Sequence, residues 1–338
     1  MKKRVALILL IVMILSLTAC GTNSNSEPAK PASNETVKEI VLKAGHSVAP
    51  THPYHLGLEK FAQLINERTD GKIKIEIFHS AQLGNERDMI EGLQMGTIDM
   101  VVSSTGPMGG FEPKMLVVDL PFLFRDREHA YKVLDGEIGK ELLSTLPSKG
   151  IVGLAFWENG FRHITNSKKP INGPEDIKGL KIRTMENQVH MDSFKELGAD
   201  PTPMAWSEVF TALQQKVIDG QENPIPIIYT QKIYEVQKNL ALTEHFYSPS
   251  LLLMSKSKLD SLDADTQRIL ADTALEVAAY ERGLIKEMED KQIDELKGFG
   301  VEVTTPDKAK LQEAVAPVYK KYESQFSKEL IDKIINTK

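Results

Sequence analysis

Hydrophobic and polar positions alternate strictly through residues 72–78, where Ile73, Ile75 and Ile77 interleave with Lys72, Lys74 and Glu76. That period of two is the mark of a half-buried strand. Just upstream the period changes. Leu58, Phe61, Leu64 and Ile65 fall at helical spacing over residues 54–69, and Asp70-Gly71 stops the run. A short apolar stretch at 41–44 predicts a buried strand before that helix; a helix over 85–95 and a strand over 98–103 follow. Strand, helix, strand, helix, strand is α/β organisation. The same reading places strands over 151–156, 162–165 and 180–183, and helices over 128–146, 187–197 and 207–216. Residues 264–297 are rich in Ala, Leu, Glu and Lys, contain no proline and are interrupted only by Gly283, which predicts one long helix. Residues 308–335 are amphipathic, with a break or kink expected at Pro317.

Two stretches echo each other. Leu93-Gln94-x-x-x-Ile98-Asp99 closes one helix and opens a strand, and Leu213-Gln214-x-x-x-Ile218-Asp219 does the same 120 residues later. The echo predicts two related lobes facing one another across a cleft. Counting four residues past each Asp pairs Ser103 with Asn223, so each strand is expected to present a polar tip to that cleft.

The first residues have a different character. Lys2, Lys3 and Arg4 precede an apolar run at 5–15 and then Ser16-Leu17-Thr18-Ala19-Cys20, the order of regions in a secretory signal. The run is far shorter than the roughly 20 residues a bilayer span needs. Cys20 is the only cysteine of 338 residues, so no internal disulfide can form. Leu17-Thr18-Ala19-Cys20 resembles the lipobox of bacterial lipoproteins, which implies an acylated Cys20 as the first mature residue. Residues 20–36 have the composition of a flexible tether, and the globular part is expected from about residue 37. Its roughly 300 residues exceed what one core usually organises, again favouring two lobes. The formal charge is −6; removal of residues 1–19 takes away three basic residues and no acidic one, leaving −9. Such a surface argues against nucleic acid as a partner.

Catalytic signatures are missing: there is no G-x-S-x-G, G-x-G-x-x-G, Walker A loop or H-E-x-x-H. His46, His52 and His55 lie close together, but Pro50 and Pro53 put them in an irregular loop whose spacing matches no zinc pattern, so no metal and no cofactor is expected. Arg162 and Arg183 each sit in or beside a predicted strand with apolar or β-branched neighbours. Two guanidinium groups there could form a fork that grips a carboxylate, a geometry lysine cannot reproduce.

Trp157-Glu158-Asn159-Gly160-Phe161-Arg162, Gly179-Leu180-Lys181-Ile182-Arg183, Pro203-Met204-Ala205-Trp206-Ser207-Glu208 and Asp219-Gly220-Gln221-Glu222-Asn223-Pro224 resemble the DctP-type binding proteins of tripartite ATP-independent periplasmic (TRAP) transporters. Gln82-Leu83-Gly84, Gly96-x-x-Asp99 and Asp119-Leu120-Pro121-Phe122-Leu123-Phe124 match the same family, in order, from about residue 40 to 335. The resemblance implies an α/β, two-lobed periplasmic-binding-protein-like fold with strands crossing between lobes and a long helix spanning both. It implies lobes at about 37–159 with 249–288, and 160–248 with 289–338. The function implied is capture of a C4-dicarboxylate or related organic or sugar acid for membrane permease subunits, without catalysis. Arg183 would make the principal salt bridge, Arg162 and Asn223 would support it, and His46, Glu86 and Ser103 would add contacts from the first lobe. A secreted enzyme using Glu86 or a histidine as base, or a sensor domain of the same fold, are the rival readings.

The anchor yields a first test. Cys20→Ser should leave the body folded but unprocessed by lipoprotein signal peptidase, and should abolish detergent-dependent membrane extraction, since the acyl chains supply the attachment. Wild-type protein in the soluble fraction, without acyl mass on Cys20, would refute the assignment.

Overall fold

The computed structural model describes residues 39–338. The expected signal segment, Cys20 and the tether over 20–36 lie outside the described residues.

The chain runs through β1 (Ile40–Gly45), α1 (Pro53–Arg68), β2 (Ile73–Phe78), α2 (Glu86–Met95) and β3 (Met100–Ser104). Then α3 (Arg127–Asp135) and α4 (Glu137–Leu143) lead to β4 (Ile151–Phe161) and β5 (His163–Asn166). Next come β6 (Lys181–Thr184), α5 (Gln188–Glu196), β7 (Asp200–Pro203), α6 (Trp206–Gln214), β8 (Gly220–Asn223), α7 (Ile225–Thr230) and β9 (Asn239–Ala241). The last part is β10 (Tyr247–Ser255), α8 (Lys256–Asp260), α9 (Ala264–Gly298), β11 (Glu302–Thr304), α10 (Lys308–Phe326) and α11 (Lys328–Ile335).

Two sheets result, with strand orders β2-β1-β3-β10-β4 and β11-β9-β5-β8-β6-β7. Each contains the same unit. In the first, β1 lies parallel between β2 and β3, and β10 pairs antiparallel with β3. In the second, β6 lies parallel between β7 and β8, and β5 pairs antiparallel with β8. The sequence echo marks this repeat. Leu93 and Ile98 are buried in one copy, Leu213 and Ile218 in the other. The aspartate has one role in both: Asp99 Oδ2 accepts from the Lys43 amide at 2.8 Å, and Asp219 Oδ2 from the Lys181 amide at 3.0 Å. Each therefore ties the loop after a helix to the neighbouring central strand.

The helix α9 has 35 residues and, at 1.5 Å per residue, is about 52 Å long. Gly283 does not interrupt it. It packs on α1 and β4 at one end and on α7 farther along, where Leu296 joins the core formed by Val209, Leu213, Ile225 and Leu240 of the second sheet's outer layer. Polar anchors fix it to β4. Trp157 Nε1 donates to the Ala274 carbonyl at 3.2 Å, the Glu158 amide donates to Glu281 Oε2 at 2.9 Å, and Arg282 Nη2 donates to the Phe156 carbonyl at 2.8 Å. Burial pushes the Glu281 carboxyl well above the usual carboxylate range.

The structure shifts several expected elements. The helix expected over 128–146 is two, broken at Gly136, which is extended and separates α3 from α4. The strand expected over 151–156 continues to Phe161, and that expected over 162–165 starts one residue later. Pro317 does not end its helix: it is solvent-exposed inside α10, so water can take the carbonyl left free by its missing N–H. The break lies at Ser327, whose φ is +63°.

Where β4 pairs with β10, Gly160 faces Ser248 and Glu158 faces Pro249, leaving Asn159 unmatched. This bulge re-aims one side chain, and Gly160 makes it possible at φ +115°, where a Cβ would also lie 3.2 Å from Pro224 Cβ. Gly160→Ala is expected to cost about 1–3 kcal/mol of stability through backbone strain, measurable as a lower urea midpoint with unchanged slope.

Candidate ligand-binding site

The parallel strands of both sheets end at one enclosed cleft, the place where open α/β sheets bind ligands. Past β1 lie Ser47 and Val48, at the end of β3 Ser104, near the end of β6 Arg183 and then Met185, and at the end of β8 Asn223. Tyr54 and Asn159 complete the polar wall, with Trp206 and Ile227 on the apolar side. An adjoining cavity shares Glu86, Arg183, Met185 and Trp206 and extends to Arg87, Glu186 and Met204. At the mouth, Ser207 Oγ donates to Asn85 Oδ1 at 2.7 Å, linking α6 to the cap of α2. Deeper, Asp119 bridges the two sides, accepting from Thr105 Oγ1 and Asn187 Nδ2, each at 2.8 Å. Burial raises the Asp119 carboxyl to about 7, against the pull of those two hydrogen bonds.

Arg183 occupies β6 one residue after buried Ile182, and is itself only 3% exposed. Its side edge is fixed: Nε and Nη2 donate to the Met204 carbonyl at 2.9 and 2.7 Å, and the guanidinium lies 5.5 Å from the Trp206 ring centre. Among the described residues no group accepts from Nη1, so the end of the fork faces the cleft unengaged. Burial lowers its pKa to about 10, with Glu222 opposing, and the group stays cationic at neutral pH. Asn223 stands beside it, its Nδ2 donating to Gln221 Oε1 at 2.6 Å.

Glu86, the first residue of α2, faces Arg183 across the cavity. Its Oε1 accepts from Ser103 Oγ at 3.0 Å, the Ser104 amide at 3.0 Å and Ser104 Oγ at 3.3 Å. Ser103 therefore orients Glu86 and does not itself line the cavity, whereas its neighbour Ser104 does.

Arg162 and His46 lie behind the wall. The Arg162 guanidinium is fully buried and pairs with Glu222: Nε with Oε2, Nη2 with Oε1 at 2.8 Å and with the Glu222 carbonyl at 2.6 Å. His245 Nε2 lies 3.2 Å from Glu222 Oε2. Burial opposes ionisation of Glu222, but the charge of Arg162 and the hydrogen bonds from His245 and Arg162 outweigh it and hold the carboxyl well below its usual range. Arg162 Nη1 has no partner among the described residues. His46 is buried with Nε2 3.0 Å from His55 Nδ1. Among the described residues, no group of three or more His, Cys, Asp or Glu is placed to hold a metal ion.

Of the six residues the sequence points to as ligand contacts, Arg183, Asn223 and Glu86 line the cavity, whereas Arg162, Ser103 and His46 lie behind its wall; Tyr54, Asn159, Met185 and Trp206 line it without having been expected. Asn159 and Trp206 belong to the motifs that carry the family resemblance; Tyr54 reads as an ordinary core residue of α1.

Two facing sheets, a strand pair passing between them and an enclosed polar cleft with one cationic fork define a two-lobed solute-binding protein. The family model for bacterial extracellular solute-binding protein, family 7 (DctP), matches residues 44–325, and the chain belongs to that family. It is 44% identical over 264 residues to the 2,3-diketo-L-gulonate-binding periplasmic protein YiaO of Escherichia coli, covering 78% of this chain and 80% of that one. It is 38% identical over 301 residues to the C4-dicarboxylate-binding periplasmic protein DctP of Rhodobacter capsulatus, covering 86% and 89%. A TRAP periplasmic solute-binding protein from Polaromonas, bound to D-erythronate, superposes with a TM-score of 0.88 at 45% identity, over 89% of this chain and 99% of that one. The chain is a DctP-type TRAP solute-binding protein.

Buried histidines around this site make it sensitive to acid. Burial, first of all, lowers His46, His52 and His190 from 6.5 to about 3. Between those values the unfolded chain binds more protons, so stability that is complete above pH 6.5 is lost as the pH falls toward 3. His52 Nδ1 also caps α1 by accepting from the Tyr54 amide at 3.2 Å. His52→Asn keeps a capping acceptor without the titrating ring. Melting temperatures measured between about pH 7 and pH 4 should fall less steeply for this variant than for wild type.

Proposed function

We propose that the protein, anchored by an acylated Cys20 outside the cytoplasmic membrane, captures an organic acid through Arg183 and delivers it to the permease subunits of a TRAP transporter. The observation that carries this reading is the Arg183 fork: a buried cation fixed by Met204 and Trp206, with its free end turned into an enclosed cleft. A planar fork recognises a carboxylate bidentately. Asn223 adds an amide donor beside it, and Glu86 and Ser104 meet the rest of the molecule from the other sheet. Arg162 acts behind the wall, holding β8 and Asn223 in place through Glu222. Hinge closure between residues 37–159 with 249–288 and residues 160–248 with 289–338 brings the two sets of contacts together. The acids bound by the relatives, a diketogulonate, a C4-dicarboxylate and erythronate, support an organic or sugar acid as the ligand class.

Arg183→Lys keeps the charge and loses both the fork and its Met204 anchor. With charged hydrogen bonds contributing roughly 1.5–3 kcal/mol each, calorimetric titration should show carboxylate binding weakened roughly tenfold to a thousandfold or more. An unchanged dissociation constant would overturn the assignment.

A further inference from the structure

We propose that the cleft selects acids with one carboxylate and a hydroxylated chain, and that Glu86 is the residue that turns away a second carboxylate. The inference rests on Arg183 as the carboxylate clamp.

It follows from a census of charge. Among the residues lining the main cavity, Arg183 is the only basic one and Glu86 the only acidic one. Arg162, the next cation, is fully buried and neutralised by Glu222. Arg87, which lines the adjoining cavity, pairs with Glu91 at 3.2 Å. One bound carboxylate matches Arg183, and the charge that remains facing the ligand is negative.

Glu86 cannot swing aside easily. Three donors from Ser103 and Ser104 converge on Oε1, and among the described residues none donates to Oε2. A ligand hydroxyl can supply that missing proton; an ionised carboxylate cannot, and it meets a like charge across the cleft. Elsewhere in the wall, among the described residues, Asn159 Oδ1 is buried without a donor. It suits an alcohol of a polyol. Attraction to the correct chain and repulsion of the wrong one then come from a single side chain.

The test uses acid pairs that differ only in whether the terminal carbon is CH2OH or carboxylate: D-erythronate with meso-tartrate, D-gluconate with D-glucarate, and D-galactonate with galactarate. Calorimetric titration of the mature protein should find at least one monocarboxylate that binds at least about tenfold more tightly than its dicarboxylate partner. Glu86→Gln, of the same shape, should shrink or reverse that ratio by about tenfold or more, with the ligand-free melting temperature reporting whether the variant folds. If it does not fold, the wild-type ratio alone decides. Failure of every pair to show that preference, a ratio unmoved in a folded Glu86→Gln protein, or binding of no member of any pair would each overturn the proposal. Succinate is titrated in parallel against wild type and Arg183→Lys. If succinate binds and the substitution weakens it, the clamp stands and only the selectivity falls; if no acid binds, both fall.

Discussion

The structure turns on one residue, at the point where the chain leaves the first sheet for the second. Between Phe161 at the end of β4 and His163 at the start of β5 there is only Arg162, and its amide bonds the Phe246 carbonyl on the segment that crosses back. A guanidinium buried there without a counter-charge would cost several kcal/mol. Glu222, on the neighbouring β8, supplies that charge, and His245, next to Phe246, approaches the same carboxylate. Outgoing strand, returning strand and β8 are thereby tied at a single neutral pair. Because the pair is neutral, the field inside the cleft is left to Arg183 and Glu86.

The two sheets share an architecture but not a charge. Asp99 and Asp219 make the same backbone contact in the two copies of the repeat, and the strands that follow end at the same cleft. One copy presents a serine pair that holds an acid; the other presents Asn223 beside an arginine. The repeat fixes where side chains point, and substitution at the strand ends has made the cleft polar from one side to the other.

Much of this architecture is legible in the sequence. The alternation at 72–78 and the helical spacing at 54–69 give β2 and α1 to within a residue or so, because each element has one wet and one dry face. β10 is not legible, since Leu251-Leu252-Leu253-Met254 is apolar throughout and a strand buried on both faces has no period to read. Pro317 misleads because a proline on the wet side of a helix is tolerated, and no local signal distinguishes it from a break. Among the site residues, Arg183 can be found from its strand and motif. The role of Arg162 cannot, for it depends on a carboxylate 60 residues away that only the β5–β8 pairing brings alongside.

The placement of the two tryptophans has an optical consequence. Trp157 is fully buried, its indole fixed to α9 far from solvent. Trp206 lines both cavities, packs against two hydrophobic clusters and lies over the Arg183 guanidinium. The chain therefore carries one indole in a constant surrounding and one whose neighbours are the lobes and the clamp themselves. Its intrinsic emission is a built-in gauge of the state of the cleft, with Trp157 as the internal reference.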